Sequence, residues 1–172
     1  MLKLTGTVII IGASTAIGCL LSVQLSNRQR ELKQLLKLVS FLEREITYGM
    51  ATLPEALEHT GHKMASPFSD FLFSAAQKAK RREGKTFDRI FEESLEEELK
   101  ETSLTAKDKE GLKELGKYLG YLDVTMQKNM IQLYQKELEM TLLEIGETIT
   151  TKKKLYQSLG IMCGLFLAVA LY

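Results

Sequence analysis

Two runs without a charged side chain, one at each end, constrain this chain more than anything else in it. Leu4 to Leu25 gives 22 such residues and Leu155 to Tyr172 gives 18. As helices rising about 1.5 Å per residue they would extend about 33 Å and about 27 Å. A bilayer hydrocarbon core is roughly 30 Å thick, and slight local thinning accommodates the shorter run. The basic flanks set the orientation. Arg28, Arg30, Lys33 and Lys37 follow the first run, and Lys152, Lys153 and Lys154 precede the second, while only the amino terminus and Lys3 lie on the far side. Positive charge resists transfer across a membrane, so everything between the runs is expected in the cytoplasm. The organisation read from this is a transmembrane helix at 1–26, a cytoplasmic domain at 27–154 and a second transmembrane helix at 155–172. The competing reading is a cleaved leader, with Lys3 as its basic start and Ala16-Ile17-Gly18 at the cleavage point. It would leave seven basic residues on the wrong side.

Small residues recur every four positions in both runs: Ser14, Gly18 and Ser22 in the first, Gly160, Gly164 and Ala168 in the second. Such stripes let helix backbones approach closely in lipid. The expected result is packing between the two segments or between subunits of a homo-oligomer. Cys19 and Cys163 lie in the same runs and read as small apolar residues, because two cysteines in 172 residues make no disulfide framework.

Between the ends, 27–154 reads as an all-α bundle of about six helices. The first stripe is Leu32, Leu35, Val39, Leu42 and Ile46, continuing the first apolar run without a turn signal and stopping near Gly49. Thr52 and Glu55 form a capping box with Pro54 in the first turn, opening a short helix that ends near Gly61. Ser66 is expected to cap a third helix with Pro67 at its first position and an apolar face of Phe68, Phe71, Leu72, Ala75, Ala76 and Ala79. Phe87, Ile90, Phe91, Ser94, Leu95 and Leu99 mark a fourth helix. Thr105 and Asp108 open a fifth, with Leu112, Leu115 and Leu119 inward. Asp123 caps a sixth, whose stripe runs Val124, Ile131, Tyr134, Leu138, Leu142, Ile145 and Ile149. No segment alternates apolar and polar long enough for a strand.

Motifs of chemistry are weak. Gly111 to Lys117 has most of a phosphate-loop pattern, but Tyr118 stands where Ser or Thr would hold magnesium, and no strand precedes it. Gly116 and Gly120 read better as points of close helix packing. Glu55, Glu58, His59 and His62 are helix neighbours without the spacing of a zinc helix. With no nucleophile elbow and no paired cysteines, an enzyme is not expected, nor a metal or other cofactor. A net charge of +1 gives no warrant for nucleic acid.

Charge is most uneven at Glu83–Glu101, where eight acids face only Lys85, Arg89 and Lys100, just after the basic cluster Lys78, Lys80, Arg81 and Arg82. One reading is a solvated face. The sharper one is a docking surface at Glu92, Glu93, Glu96 and Glu97, since such patches steer association.

Three segments carry a resemblance. Thr52-Leu-Pro-Glu-Ala-Leu57 resembles the stretch after the first cytoplasmic helix of F-type platform proteins in type II secretion and type IV pilus machines. Leu115-Gly-Lys-Tyr-Leu-Gly-Tyr-Leu-Asp123 with Gln127, and Lys152-Lys-Lys-Leu-Tyr-Gln-Ser-Leu-Gly160, closely resemble the stage III sporulation AB family of endospore-forming bacteria, over essentially the whole chain. The resemblance implies a bundle like the cytoplasmic domain of secretion platforms, in the mother-cell membrane facing the forespore. It implies a channel, or feeding-tube, complex whose other subunits and an AA-like secretion-type ATPase are the partners. Unlike the larger platform proteins, this chain has a single such domain and two membrane segments. The alternative is a membrane-anchored adaptor or signalling protein with a helical binding domain.

Overall fold

The computed structural model describes the backbone at 2–49, 51–81, 84–121 and 123–170. The side chains of 1–15, 18, 121, 148–150, 152–154, 156–157, 159–161 and 163–170 lie outside what is described. Among the described residues there are six helices and no strand: α1 (Leu2–Tyr48), α2 (Leu53–Gly61), α3 (Phe68–Arg81), α4 (Phe87–Glu98), α5 (Ala106–Tyr121) and α6 (Val124–Ala170). Contacts divide the chain into two compact units, Met1–Gln29 with Leu143–Tyr172, and Arg30–Leu142. The second falls inside the 27–154 span read from the sequence.

The helix boundaries follow local chemistry. At α2, Thr52 N and Oγ1 both donate to Glu55 Oε2, at 2.8 and 2.7 Å. At α5, Thr105 N and Oγ1 donate to Asp108 Oδ2 at 2.8 and 2.7 Å. At α6, Met126 N donates to Asp123 Oδ1 at 2.9 Å. Each satisfies amide hydrogens that a first helical turn leaves without intrahelical partners. The third helix differs from expectation. Its regular part begins at Phe68 rather than at Pro67. Ser69 N donates to the Ala65 carbonyl at 3.1 Å and Phe71 N to that of Pro67 at 3.0 Å, and Ser66 Oγ donates to Asp70 Oδ2 at 2.6 Å.

The core of the second unit is built from the expected stripes. Leu32, Leu35, Val39 and Leu42 of α1 are fully buried, as are Phe68, Phe71 and Leu72 of α3 and Leu112 of α5. Phe91 of α4 meets Phe71 edge-on at 4.9 Å between centroids. The glycines of α5 mark close approach. A Cβ at Gly116 would lie 2.3 Å from Phe91 Cδ1, and one at Gly120 would lie 3.1 Å from Phe87 Cβ. α1 and α6 are joined by a carboxylate, with Gln132 Nε2 donating to Glu43 Oε1 at 2.7 Å and Gln135 Nε2 to Glu43 Oε2 at 3.0 Å. On α6, Ile131, Tyr134 and Leu138 point inward as read, but Val124 is 54% exposed. Val124 opens the helix beyond the reach of the core, so it carries no burial signal despite its periodic position.

The first unit consists of the amino-terminal part of α1 and the carboxy-terminal part of α6. Ile145 and Ser22 are buried, and Gly146 lies beside Gln29. Ile17, Leu20, Val23, Leu155 and Met162 are exposed. Of the small-residue stripes, Ser22 alone is described. The side chains of Ser14, Gly18, Gly160, Gly164 and Ala168 lie outside the described residues. Among the described residues, no helix is long and apolar enough to cross a membrane. Most side chains of the two uncharged runs lie outside what is described.

Candidate functional site

Helix α4 turns Ile90, Phe91, Ser94 and Leu95 into the core. A 3.6-residue period then sends the intervening positions outward. Glu92 and Glu96 project one turn apart on one flank, and Glu93 and Glu97 on the other. Because α4 packs between α3 and α5, each flank faces a neighbouring helix. Lys113 of α5 pairs with Glu92 and lies 3.6 Å from Glu96. Lys78 of α3 pairs with Glu97, and Lys85 pairs with Glu93 at 2.7 Å. All four expected docking residues thus lie together on one helix face, and each has a lysine from its own chain.

The electrostatics follow from those contacts. The hydrogen bond from Lys85 holds the Glu93 carboxyl below the usual range. The Glu92 carboxylate raises the Lys113 ammonium above its ordinary value. At this exposure such pairs are worth little in stability. They set the glutamates of α4 beside lysines of the flanking segments. Glu96 and Glu97 keep most of their surface, at 65% and 57%. Six acids of α4 stand against Arg89 and the three bridging lysines, which leaves the face net negative by two.

The histidines singled out in the sequence go elsewhere. His59 Nδ1 lies 3.0 Å from Glu45 Oε2, and His62 packs edge-on against Phe73. Lys63 Nζ donates to Glu45 Oε1 at 2.6 Å, so Glu45 of α1 ties down α2 and the turn after it. Those two hydrogen bonds, Lys63 first, hold the Glu45 carboxyl below the ordinary range. Among the described residues no group of three or more His, Cys, Asp or Glu could hold a metal ion. Sequence reasoning missed the lysine brackets and Glu31, whose carboxylate accepts from Ser103 N at 2.7 Å across 72 residues. No local pattern signals a contact across 72 residues, and the lysine pairs reach beyond the three- and four-residue spacing of a helix.

Comparison with known proteins settles the family. The family model for stage III sporulation protein AB matches residues 3–172. The chain belongs to the stage III sporulation protein AB family. The stage III sporulation protein AB of Bacillus subtilis (strain 168) is 32% identical over 171 residues, covering 99% of both chains. A solved structure of a stage III sporulation protein AB matches with a TM-score of 0.65 and 26% identity, over 72% of this chain and 97% of that one. The family expected from the Leu115–Asp123 and Lys152–Gly160 segments is therefore the family found. Membership of the stage III sporulation AB family gives the chain a role in sporulation.

Proposed function

We propose that this chain is a membrane platform subunit of a secretion-type channel complex. The complex lies between mother cell and forespore, and the helical unit docks a cytoplasmic ATPase resembling stage III sporulation protein AA. The chain acts as a scaffold and not as a catalyst. The observation that carries the reading is the outward face of α4. Glu92, Glu93, Glu96 and Glu97 sit on one helix in positions set by Lys78, Lys85 and Lys113. Pre-positioned charge steers association and suppresses wrong partners. Membrane anchoring is supported by the uncharged runs Leu4–Leu25 and Leu155–Tyr172, and by the exposed Ile17, Leu20 and Val23 of the first unit.

The test of docking is a pull-down from membranes of sporulating cells, with the whole chain carrying Glu92→Lys, Glu93→Lys, Glu96→Lys and Glu97→Lys together. ATPase recovery should fall sharply, and undiminished recovery removes the docking claim. Topology is tested with Glu83→Cys in a Cys19→Ser, Cys163→Ser background. A thiol reagent that cannot enter intact cells should leave it unlabelled. Assembly through the ends is tested with Gly160→Leu and Gly164→Leu together. An unaltered ladder of cross-linked oligomers would count against packing at Gly160, Gly164 and Ala168.

A further inference from the structure

A second recognition surface lies away from the acidic face. α5 and α6 send Leu112, Leu119, Ile131 and Leu138 into the core, and a groove of about 200 Å³ runs between their outer edges. It is lined by Tyr118, Met130, Leu133 and the edge of Tyr134, with Glu114 and Glu137 as its charged members. The groove exists because Gly111 forms part of its wall: a Cβ there would stand 3.0 Å from Tyr134 Cε2. Its apolar surface continues along α6. Met126, Leu133 and Met140 are 54%, 51% and 62% exposed at seven-residue intervals. That spacing covers about 21 Å of helix, a contact length for about four turns of a second helix.

We propose that this groove binds an amphipathic helix with lysines or arginines beside its apolar stripe, supplied by a partner protein. Three observations converge on that occupant. The apolar positions are open at a helical period, the pattern a groove offers to i, i+3, i+4 and i+7 anchors. Two of the three exposed anchors are methionines, whose unbranched side chains adapt to an incoming surface. The charged lining is two carboxylates with no lysine or arginine among the lining residues, so complementarity selects a cationic partner. A second copy of this chain fits worse. The positions 126, 130, 133, 137 and 140 alternate by four and three, which is a coiled-coil seam. Parallel self-pairing there would set Glu137 against its own copy. An anionic lipid surface is repelled by the same two carboxylates.

The test uses the whole chain in neutral-lipid nanodiscs and a fluorescein-labelled leucine–lysine peptide of about 18 residues, long enough for the seam. Binding is read by anisotropy after subtraction of empty discs. The peptide should bind, and its counterpart with every lysine replaced by glutamate should not. Leu133→Asp should weaken binding about tenfold, as should Glu114→Lys combined with Glu137→Lys. Both changes lie on exposed surface, and circular dichroism checks that the helices persist. Glu96→Gln with Glu97→Gln should leave binding within about twofold, which separates this groove from the α4 face. Absence of binding, equal binding of the glutamate peptide, or full binding by Leu133→Asp overturns the proposal. So does a disulfide-linked dimer through Leu133→Cys in a Cys19→Ser, Cys163→Ser background, which would make the occupant a second copy.

Discussion

Replacing Gly116 with alanine adds one methyl group where α5 crosses α4. The new Cβ would fall 2.3 Å from Cδ1, 2.8 Å from Cγ and 2.9 Å from Cε1 of Phe91. Ordinary carbon contacts begin near 3.5 Å, so the ring must retreat by more than about 1 Å. It has nowhere to go. Phe91 is 1% exposed, and its ring is held edge-on by Phe71 at 4.9 Å and against Phe87 at 5.7 Å. A clash this deep against a fully enclosed ring falls in the upper part of the overpacking range, about 2–3 kcal/mol. Alanine is a better helix former than glycine by about 1 kcal/mol, so the net loss expected is about 1–2 kcal/mol. For a unit of this size, Tm falls by about 4–8 °C for each kcal/mol lost. The assay is thermal and urea unfolding of the purified chain in micelles, followed by circular dichroism. Phe91→Leu in the Gly116→Ala background should relieve the clash. The double-mutant cycle should then show a favourable coupling of about 1 kcal/mol. A Gly116→Ala protein as stable as the parent, or a cycle with no coupling, would refute the close-packing account of α4 and α5.

Three further outcomes are checked by the same unfolding measurement. Gly84 adopts φ of +74° in open space, so Gly84→Ala should cost about 1 kcal/mol through backbone strain alone; no loss would sink that reading. Glu45→Gln should weaken the tie between α1 and α2, and the pH dependence carries the sign. Lys63 and then His59 depress the Glu45 carboxyl in the folded chain. The contribution is therefore complete above the unfolded carboxyl value and is lost as pH falls through the lower folded value, so the difference from the parent should begin to shrink below about pH 4. At Glu31, burial raises the carboxyl despite the hydrogen bond from Ser103 N, which makes the charged form unfavourable at neutral pH. Glu31→Gln keeps an acceptor and should be at least as stable as the parent at pH 7. Glu31→Leu leaves the Ser103 amide unpaired and should lose about 1–2 kcal/mol.

Most of the architecture was written in short-range signals. Thr52 with Glu55, Thr105 with Asp108, and Asp123 alone are caps whose partners lie three residues away, so their roles are readable without knowing the fold. The inward stripes of α1, α3, α4 and α5 follow helical periodicity, and burial of Leu35, Phe71, Leu95 and Leu112 matches it. Val124 shows the limit of that signal: period places a residue on a face but does not say whether anything covers it. The α4 glutamates could be placed on one surface from spacing, whereas Lys78, Lys85 and Lys113 could not be named as their brackets. The pairings of Lys78 and Lys113 depend on how α3, α4 and α5 lie against one another, and that of Lys85 on the path of the segment leading into α4. The outer edge of α6 escaped notice for a related reason. Met126, Leu133 and Met140 keep a clean heptad, but the inward stripe on the same helix is the stronger pattern.

Glu43 holds Gln132 and Gln135 from positions 89 and 92 residues further along the chain. A growing polypeptide presents that carboxylate long before either amide has been synthesised. The ribosome must add almost the entire bundle before this part of α1 meets its companion. The intervening hairpin-like contacts of α2 with α3 and of α4 with α5 can form early, since their closing loops are short. The long closure comes afterwards, and until then the Glu43 carboxylate lacks both amides and the inward stripe of α6 is missing from the core. A chain stopped before residue 132 should therefore be a target for chaperones and proteases.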